Sequence, residues 1–353
     1  MRHTDCISIA IVGNAGGPNV GESLRRAALA AGYRVQFFDS SRAAAGPRLL
    51  RSLNWHLAGR RLPRLKQVST EIVRACTQTR PDVLIATGAA PLTKSALHAL
   101  RGLGVGCMNF STDDPWNPAQ SSHWHLRALP AFDLVFTPRR ANLDDFRRIG
   151  CANVCYLPFA YDDLLSAPPG EPGDALGCDV LFVGGADNDR AEFMNVFMAA
   201  GPPVALCGAY WERYAATRSH ARGHKSYEDL CRLTAAAKVN LCLVRRANRD
   251  GHVMRSFEIA AVGGCMLVEY TEDHRAIFGS DGEAVVFFRT PEEAAKRAQL
   301  LIADNAERAR LSASVRERIA GASHTYRDRL RSMLEARVVL LEREKSTVKP
   351  AAR

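Results

Sequence analysis

Val239-Asn-Leu-Cys-Leu-Val244 runs into Arg245-Arg246-Ala-Asn248-Arg249-Asp250-Gly251-His252-Val-Met-Arg255-Ser-Phe-Glu258-Ile-Ala-Ala-Val-Gly263-Gly264 and then into Cys265-Met-Leu-Val268. An apolar run of strand length, a short helix bracketed by glycines and a second apolar run make one strand-helix-strand step. Strands joined through a helix lie parallel, and uninterrupted apolar runs are those of strands covered on both faces.

The same alternation extends in both directions. Upstream the strand candidates are Ile7–Val12, Arg34–Phe38, Val83–Ala86, Gly106–Phe110, Leu134–Phe136 and Val154–Leu157, with helical stretches at Glu22–Ala31, Gln67–Thr77 and Thr93–Leu103. It restarts with Val180–Val183 and Val204–Cys207 and continues past 268 through Ala284–Phe288 to helices at Pro291–Asp304 and Ala306–Ala320. Between the halves, Ser166-Ala-Pro-Pro-Gly-Glu-Pro-Gly-Asp174 cannot continue a helix or a central strand. The expected organisation is therefore α/β, with Rossmann-like doubly wound domains at 1–165 and 179–325 joined by a linker at 166–178 and facing a cleft. Leu330, Met333, Leu334, Val338 and Leu341 mark a C-terminal helix over 326–345 that packs back on the N-terminal domain, followed by a frayed tail at 346–353.

A chain of 353 residues is too long for one ordinary core. With 47% hydrophobic and 24% charged residues, wholesale disorder, collagen and coiled coil are excluded. No apolar run approaches the ~18 residues of a membrane helix. The N-terminal segment reads as a first strand and not as a signal peptide. Ten scattered cysteines, with only Cys151 and Cys155 close together, read as buried thiols of a reducing, cytoplasmic compartment.

The net charge of +10 is unevenly spread, +8 over residues 1–165 and +2 over 166–353. Arg42, Arg48, Arg51, Arg60, Arg61, Arg64 and Lys66 account for most of the excess, with no acid between Asp39 and Glu71. No nucleic-acid-binding signature accompanies them, so nucleic acid is not an expected partner. Leu49, Leu50, Leu53 and Leu57 recur there near helical spacing, so the stretch reads either as a solvated helix or as a basic amphipathic element. In the second reading 42–66 meets an anionic membrane at its inner face, or a phosphate-bearing acceptor.

Several turns at strand ends could carry chemistry. Gly13-Asn-Ala-Gly16-Gly17-Pro-Asn-Val-Gly21 matches neither a dinucleotide fingerprint nor a P-loop; it reads as a plain turn or as a ligand-lining loop. Asp113 and Asp114 follow the Gly106–Phe110 strand, where one could act as a general base or both could cap the Pro115 turn. His123-Trp-His125 lacks the spacing of a helical metal pair, and no metal ligand set is expected. Gly184-Gly185 with Arg190 forms a phosphate-facing turn, and Lys225 precedes a helix. Arg255 and Glu258 are either an exposed i, i+3 ion pair or a functional pair beside the cleft.

Arg255-Ser-Phe-Glu258-Ile-Ala-Ala-Val-Gly263-Gly264 resembles the donor-site helix of GT-B glycosyltransferases, most closely the CgeB-like (spore maturation) group. Asp113-Asp114-Pro115, Ala131–Thr137, Leu157–Asp162, Val180–Gly184 and His324-Thr-Tyr326 are similar as well. The resemblance implies a metal-independent glycosyltransferase that uses a nucleotide sugar, UDP- or GDP-linked, as substrate and needs no cofactor. It implies that Glu258 binds the ribose, with Asp250 as the first acid of an E-x7-E pattern, one carbon shorter here. Arg190, Lys225 and Arg255 are then the candidates for the donor diphosphate, and Gly184, Gly185, Gly16 and Gly17 line the ligand. Asp113, Asp114 and Asp250 are the catalytic candidates. The acceptor, a glycan, lipid-linked or protein, falls to the N-terminal domain. A nucleotide-sugar 2-epimerase and a catalytically silent GT-B scaffold remain as alternatives.

Overall fold

A computed structural model describes residues 7–165 and 177–348. The chain divides into two compact units. The first takes the residues up to Pro158, Ala247–Arg249 and the stretch from Tyr326 on; the second takes Phe159–Arg246 and Asp250–Thr325. Of the expected linker, 166–176 lies outside the described residues, as does 349–353 of the expected tail. The unit changes before residue 165, because the Phe159 N–H donates to His252 Nε2 (3.1 Å) and the Tyr161 N–H donates to the His324 carbonyl (3.0 Å).

In the first unit β1 (Ser8–Gly13), α1 (Val20–Ala30), β2 (Arg34–Asp39), α2 (Arg48–Leu57), α3 (Leu65–Thr79), β3 (Val83–Thr87), α4 (Lys94–Gly102), β4 (Gly106–Phe110), α5 (His123–Ala128), β5 (Leu134–Thr137), α6 (Leu143–Arg148) and β6 (Val154–Tyr156) follow in order. Their strands pair in parallel as β2-β1-β3-β4-β5-β6. Ile9, Ile11, Leu84, Ile85 and Met108 are wholly buried, as expected for strands covered on both faces. Each such side chain contributes roughly 1.5–3 kcal/mol by leaving water.

The second unit repeats the plan with β7 (Val180–Val183), α7 (Asn188–Ala200), β8 (Val204–Cys207), β9 (Ala221–Gly223), α8 (Tyr227–Ala236), β10 (Val239–Cys242), α9 (Met254–Val262), β11 (Met266–Glu269), α10 (Glu272–Phe278), β12 (Val286–Phe288), α11 (Pro291–Ala303) and α12 (Asn305–Ala320). Its order, β12-β11-β10-β7-β8-β9, is parallel throughout. The direction of winding reverses between β7 and β10, and the crevice at such a point, beyond the strand C-termini, is where open α/β sheets take ligands.

Several details depart from the sequence reading. β10 stops at Cys242 instead of Val244, because the Val244 N–H donates to Glu269 Oε2 (3.0 Å) and so leaves the ladder. β9, three residues at a sheet edge with no apolar run, has no signature in the sequence. The last helix, α13 (Tyr326–Val348), belongs to the first unit and packs on α1, burying Tyr326, Leu330 and Met333. It runs past 345, and its outer residues Val338 and Leu341 are exposed.

Among the described residues nine cysteines are free thiols, and seven of them are buried. No helix there is long and apolar enough to cross a membrane.

Candidate functional site

The switch point of the second sheet gathers most of the sequence candidates. Gly184 and Gly185 follow β7, and their turn is stitched to the next strand end: the Gly184 N–H donates to the Cys207 carbonyl (2.8 Å) and the Ala186 N–H to the Ala209 carbonyl (2.9 Å). At Gly208 φ is +140°, and an added Cβ would strike the Gly184 carbonyl oxygen, so only glycine lets these two turns approach. Gly208 is the residue that sequence reading passed over. Its signal was present, a glycine directly after the Val204–Cys207 strand, as Gly184 is after β7.

Arg190 lies in the first turn of α7, whose N-cap Asp187 accepts the Arg190 N–H (3.0 Å). Its Nη1 donates to the Gly185 carbonyl (3.1 Å), and its guanidinium stands over the Phe182 ring at 5.5 Å. Nε is buried without a hydrogen-bond partner. Burial lowers the pKa of this arginine, Asp187 opposes the shift, and Asp250 is close enough to oppose it as well. Arg245 pairs with Asp187 (3.3 Å) and Arg246 with Glu269 (3.1 Å). Asp187, Arg190, Val244, Arg245, Arg246 and Glu269 line one pocket.

On α9, Arg255 Nη1 sits 2.8 Å from Glu258 Oε2, yet that oxygen has no aligned hydrogen bond, so the contact is electrostatic. Glu258 is 5% exposed, so of the two readings of this pair the exposed surface ion pair does not hold. Burial pushes its pKa up, while Arg255 and the Tyr227 hydroxyl pull it down. Lys225 is exposed on the turn between β9 and α8. Burial pushes the Cys207 thiol at the end of β8 up, and the charges of Lys225, Arg222 and Arg255 pull it back down. Cations together with strand-end glycines favour a polyanion.

The start of α9 is held by a polar chain. His274 is wholly buried, and burial pushes its pKa down to about 4, so the ring is neutral. Nδ1 faces the Glu269 carbonyl at 2.8 Å and must donate; Nε2 therefore accepts from Ser256 Oγ (2.8 Å), which itself accepts the Val253 N–H (3.1 Å). Asp250, nearly buried in the preceding loop, donates its N–H to the Arg245 carbonyl (3.3 Å).

The remaining candidates belong to the first unit. Gly16 and Gly17 are exposed after β1 with φ of +76° and +52°. Their carbonyls are taken by Asn19 Nδ2 (2.8 Å) and Arg26 Nη2 (2.7 Å) respectively. Asp113 and Asp114 end the β4 turn but differ sharply. Asp113 is exposed, and its carboxylate has no partner among the described residues. Asp114 is buried and accepts from Arg249 Nε (2.6 Å) and Nη2 (3.0 Å), Asn142 Nδ2 (3.0 Å) and the Trp116 N–H (3.0 Å). Arg249 also pairs with Asp145 (2.8 Å), and Asn248 Oδ1 accepts from Asn117 Nδ2 (2.6 Å). Asp114 is thus engaged as a structural anion. His125 is buried and neutral, its pKa pushed down to about 4. Among the described residues no three His, Cys, Asp or Glu side chains group as metal ligands would.

Residues 190–335 match a family model described as glycosyl transferase-like. The solved structure of sucrose-phosphate synthase (tll1590) from Thermosynechococcus elongatus is similar over 95% of this chain and 99% of that one, with 15% identity and a TM-score of 0.67. The α,α-trehalose 6-phosphate synthase of Burkholderia multivorans is similar over 99% of both chains, with 14% identity and a TM-score of 0.64. Anabaena Alr3699/HepE in complex with UDP-glucose is similar over 94% of this chain and 99% of that one, with 15% identity and a TM-score of 0.62. No curated protein sequence matches significantly. At these identities the likeness to solved structures speaks for the fold. The chain therefore has the GT-B fold and, with a glycosyl transferase-like sequence across most of its second unit, it is as an enzyme a glycosyltransferase.

Proposed function

We propose that the second unit binds a nucleotide-sugar donor, UDP- or GDP-linked, and that the enzyme transfers its sugar to an acceptor hydroxyl without a metal ion. The observation that carries this reading is the close approach of the Gly184 and Gly208 strand-end turns, which admits no Cβ, with Arg190 held on the Gly185 carbonyl beside them; Lys225, Arg222 and Arg255 are the further cations of this unit. A nucleoside diphosphate gains negative charge as the glycosidic bond breaks, and fixed cations aimed at it lower the barrier. Arg190, held rigidly by Gly185 and Asp187, is the further phosphate candidate. Glu258, whose pKa is raised by burial and pulled down by Arg255 and Tyr227, accepts hydrogen bonds from the ribose hydroxyls. Asp250 orients the transferred sugar. The complexes of Alr3699/HepE with UDP-glucose and with UDP support a nucleotide sugar as the donor class.

On the acceptor side, Asp113 is the base candidate, because an exposed carboxylate without a partner among the described residues is open to an incoming hydroxyl proton. Asp114 positions its turn through Arg249. The CgeB-like subgroup is the finer assignment favoured by the Arg255–Gly264 segment. Calorimetric titration with a panel of nucleotide sugars, on the native protein and on Glu258→Ala, tests the proposal. Binding of one donor that weakens at least about tenfold in the variant is expected; a donor bound equally by both proteins removes Glu258 from the site, and no binding of any donor refutes the reading.

A further inference from the structure

Three leucines of α2 stand outside the core. Leu49, Leu53 and Leu57 are 80%, 54% and 81% exposed and stand at i, i+4 and i+8, one continuous row on the helix. A second row, Arg51 and Trp55, faces a cavity of about 370 Å³ against the turn that follows. Arg51, Trp55, His56, Arg60 and Arg61 line that cavity, and no acidic residue does. Arg60 is fixed there with φ +59°: Nη1 donates to the Ser121 carbonyl (3.0 Å), its own carbonyl accepts from Trp124 Nε1 (3.2 Å), and its guanidinium covers the Trp55 ring at 5.0 Å.

The charge around the leucine row is one-sided. Arg42 is paired with Glu71 at 3.1 Å, but Arg51, Arg60, Arg61, Arg64 and Lys66 have no acidic partner among the described residues. A second copy of this chain laid against the row would bring the same uncompensated cations with it. The complementary surface is apolar below and anionic above. A helix lying in the headgroup plane of a bilayer meets both demands, with leucines in the acyl boundary and arginines level with the phosphates.

We propose that α2 and the basic turn after it are a docking site for an anionic phospholipid bilayer, with Leu49, Leu53 and Leu57 entering the acyl boundary and Arg51, Arg60 and Arg61 holding headgroup phosphates at the adjoining cavity. The site lies wholly in the first unit and is independent of the donor chemistry assigned above. It brings the enzyme to acceptors displayed at a membrane surface.

Co-sedimentation of the full chain with vesicles of phosphatidylcholine alone, or mixed with phosphatidylglycerol, tests this. The expected result is binding to the mixed vesicles only, weakened roughly tenfold by Leu53→Glu and by Arg61→Glu, with a blue shift of tryptophan emission that Trp55→Phe removes. Circular dichroism of each variant confirms that the fold is kept. Absence of sedimentation of the native chain overturns the proposal, as does equal binding to both vesicle types. Loss of vesicle binding in millimolar inorganic phosphate at constant ionic strength assigns the cavity to a soluble phosphate and also overturns it. So does a lipid-free dimer in sedimentation equilibrium that Leu53→Glu dissociates.

Discussion

Arg249 grips Asp114 through two hydrogen bonds, Nε to Oδ2 at 2.6 Å and Nη2 to Oδ1 at 3.0 Å, with its own backbone in the left-handed region at φ +52°. The pair separates two neighbouring carboxylates into different roles. Asp114 has both oxygens occupied by charged and neutral donors, which ties it to its turn. Asp113, one residue earlier, has none of these.

Removing the guanidinium leaves Asp114 and Asp145 buried beside each other without their shared cation. Arg249→Met is expected to lower the stability of the first unit by about 2–3 kcal/mol, read as earlier urea unfolding and faster hydrogen exchange in β4 and α6. Arg249→Lys is expected to recover only part of the loss, since an ammonium cannot present the planar fork.

Asp113→Asn is expected to reduce kcat by at least about a hundredfold while changing donor affinity less than twofold, as befits a base acting on the acceptor. Steady-state kinetics with calorimetry of donor binding separates the two effects. A variant with native kcat returns Asp113 to the role of a surface turn residue.

The ribose contact proposed for Glu258 is coupled to stability. The folded pKa of Glu258 is raised, chiefly by burial, so its contribution to stability is complete at acid pH and is lost as pH rises through that pKa. Glu258→Gln is therefore expected to melt at a higher temperature than the native protein at neutral pH, with the two curves converging in acid. Its donor affinity is expected to fall over the same neutral range. Thermal melting and calorimetry at two pH values provide the check, and a variant both less stable and equally tight-binding contradicts the assignment.

His125 in the first unit and His274 in the second are pushed from 6.5 to about 4 by burial. A depressed histidine contributes stability that is present above 6.5 and lost as pH falls through about 4, because the unfolded chain takes the proton first. Each accounts for up to about 3 kcal/mol. Urea midpoints are expected to drop between pH 7 and pH 5, and His274→Gln is expected to flatten that drop in the second unit.

Gly208→Ala places a methyl group against the Gly184 carbonyl at a φ of +140°. The expected outcome is a loss of about 2–4 kcal/mol in the second unit together with weaker donor binding. Gly223→Ala, also at positive φ but with open space around it, provides the comparison and is expected to cost about 1 kcal/mol.

The candidate donor-site residues were legible because strand-end glycines and cations announce themselves locally. Val180–Val183 ahead of Gly184-Gly185, and Arg255 and Glu258 one helical turn apart, need no distant partner to be noticed. Burial of Glu258 was not legible, since an i, i+3 Arg–Glu pair has the same sequence whether water or Tyr227 lies beside it. Equally hidden was the division of Asp113 from Asp114, decided by Asn142 and Arg249, 28 and 135 residues away.

By itself the sequence determined two parallel α/β sheets, since continuous apolar runs separated by helices bury both strand faces in only a few ways. It also determined a basic surplus at 42–66. Only the tertiary structure decided that Leu49, Leu53 and Leu57 stay in water while Leu330 and Met333 go into the core, although both sets have helical spacing. Periodicity says which residues share a face. What covers that face is settled by the elements that reach it: α13 finds α1, while Leu49, Leu53 and Leu57 stay more than half exposed.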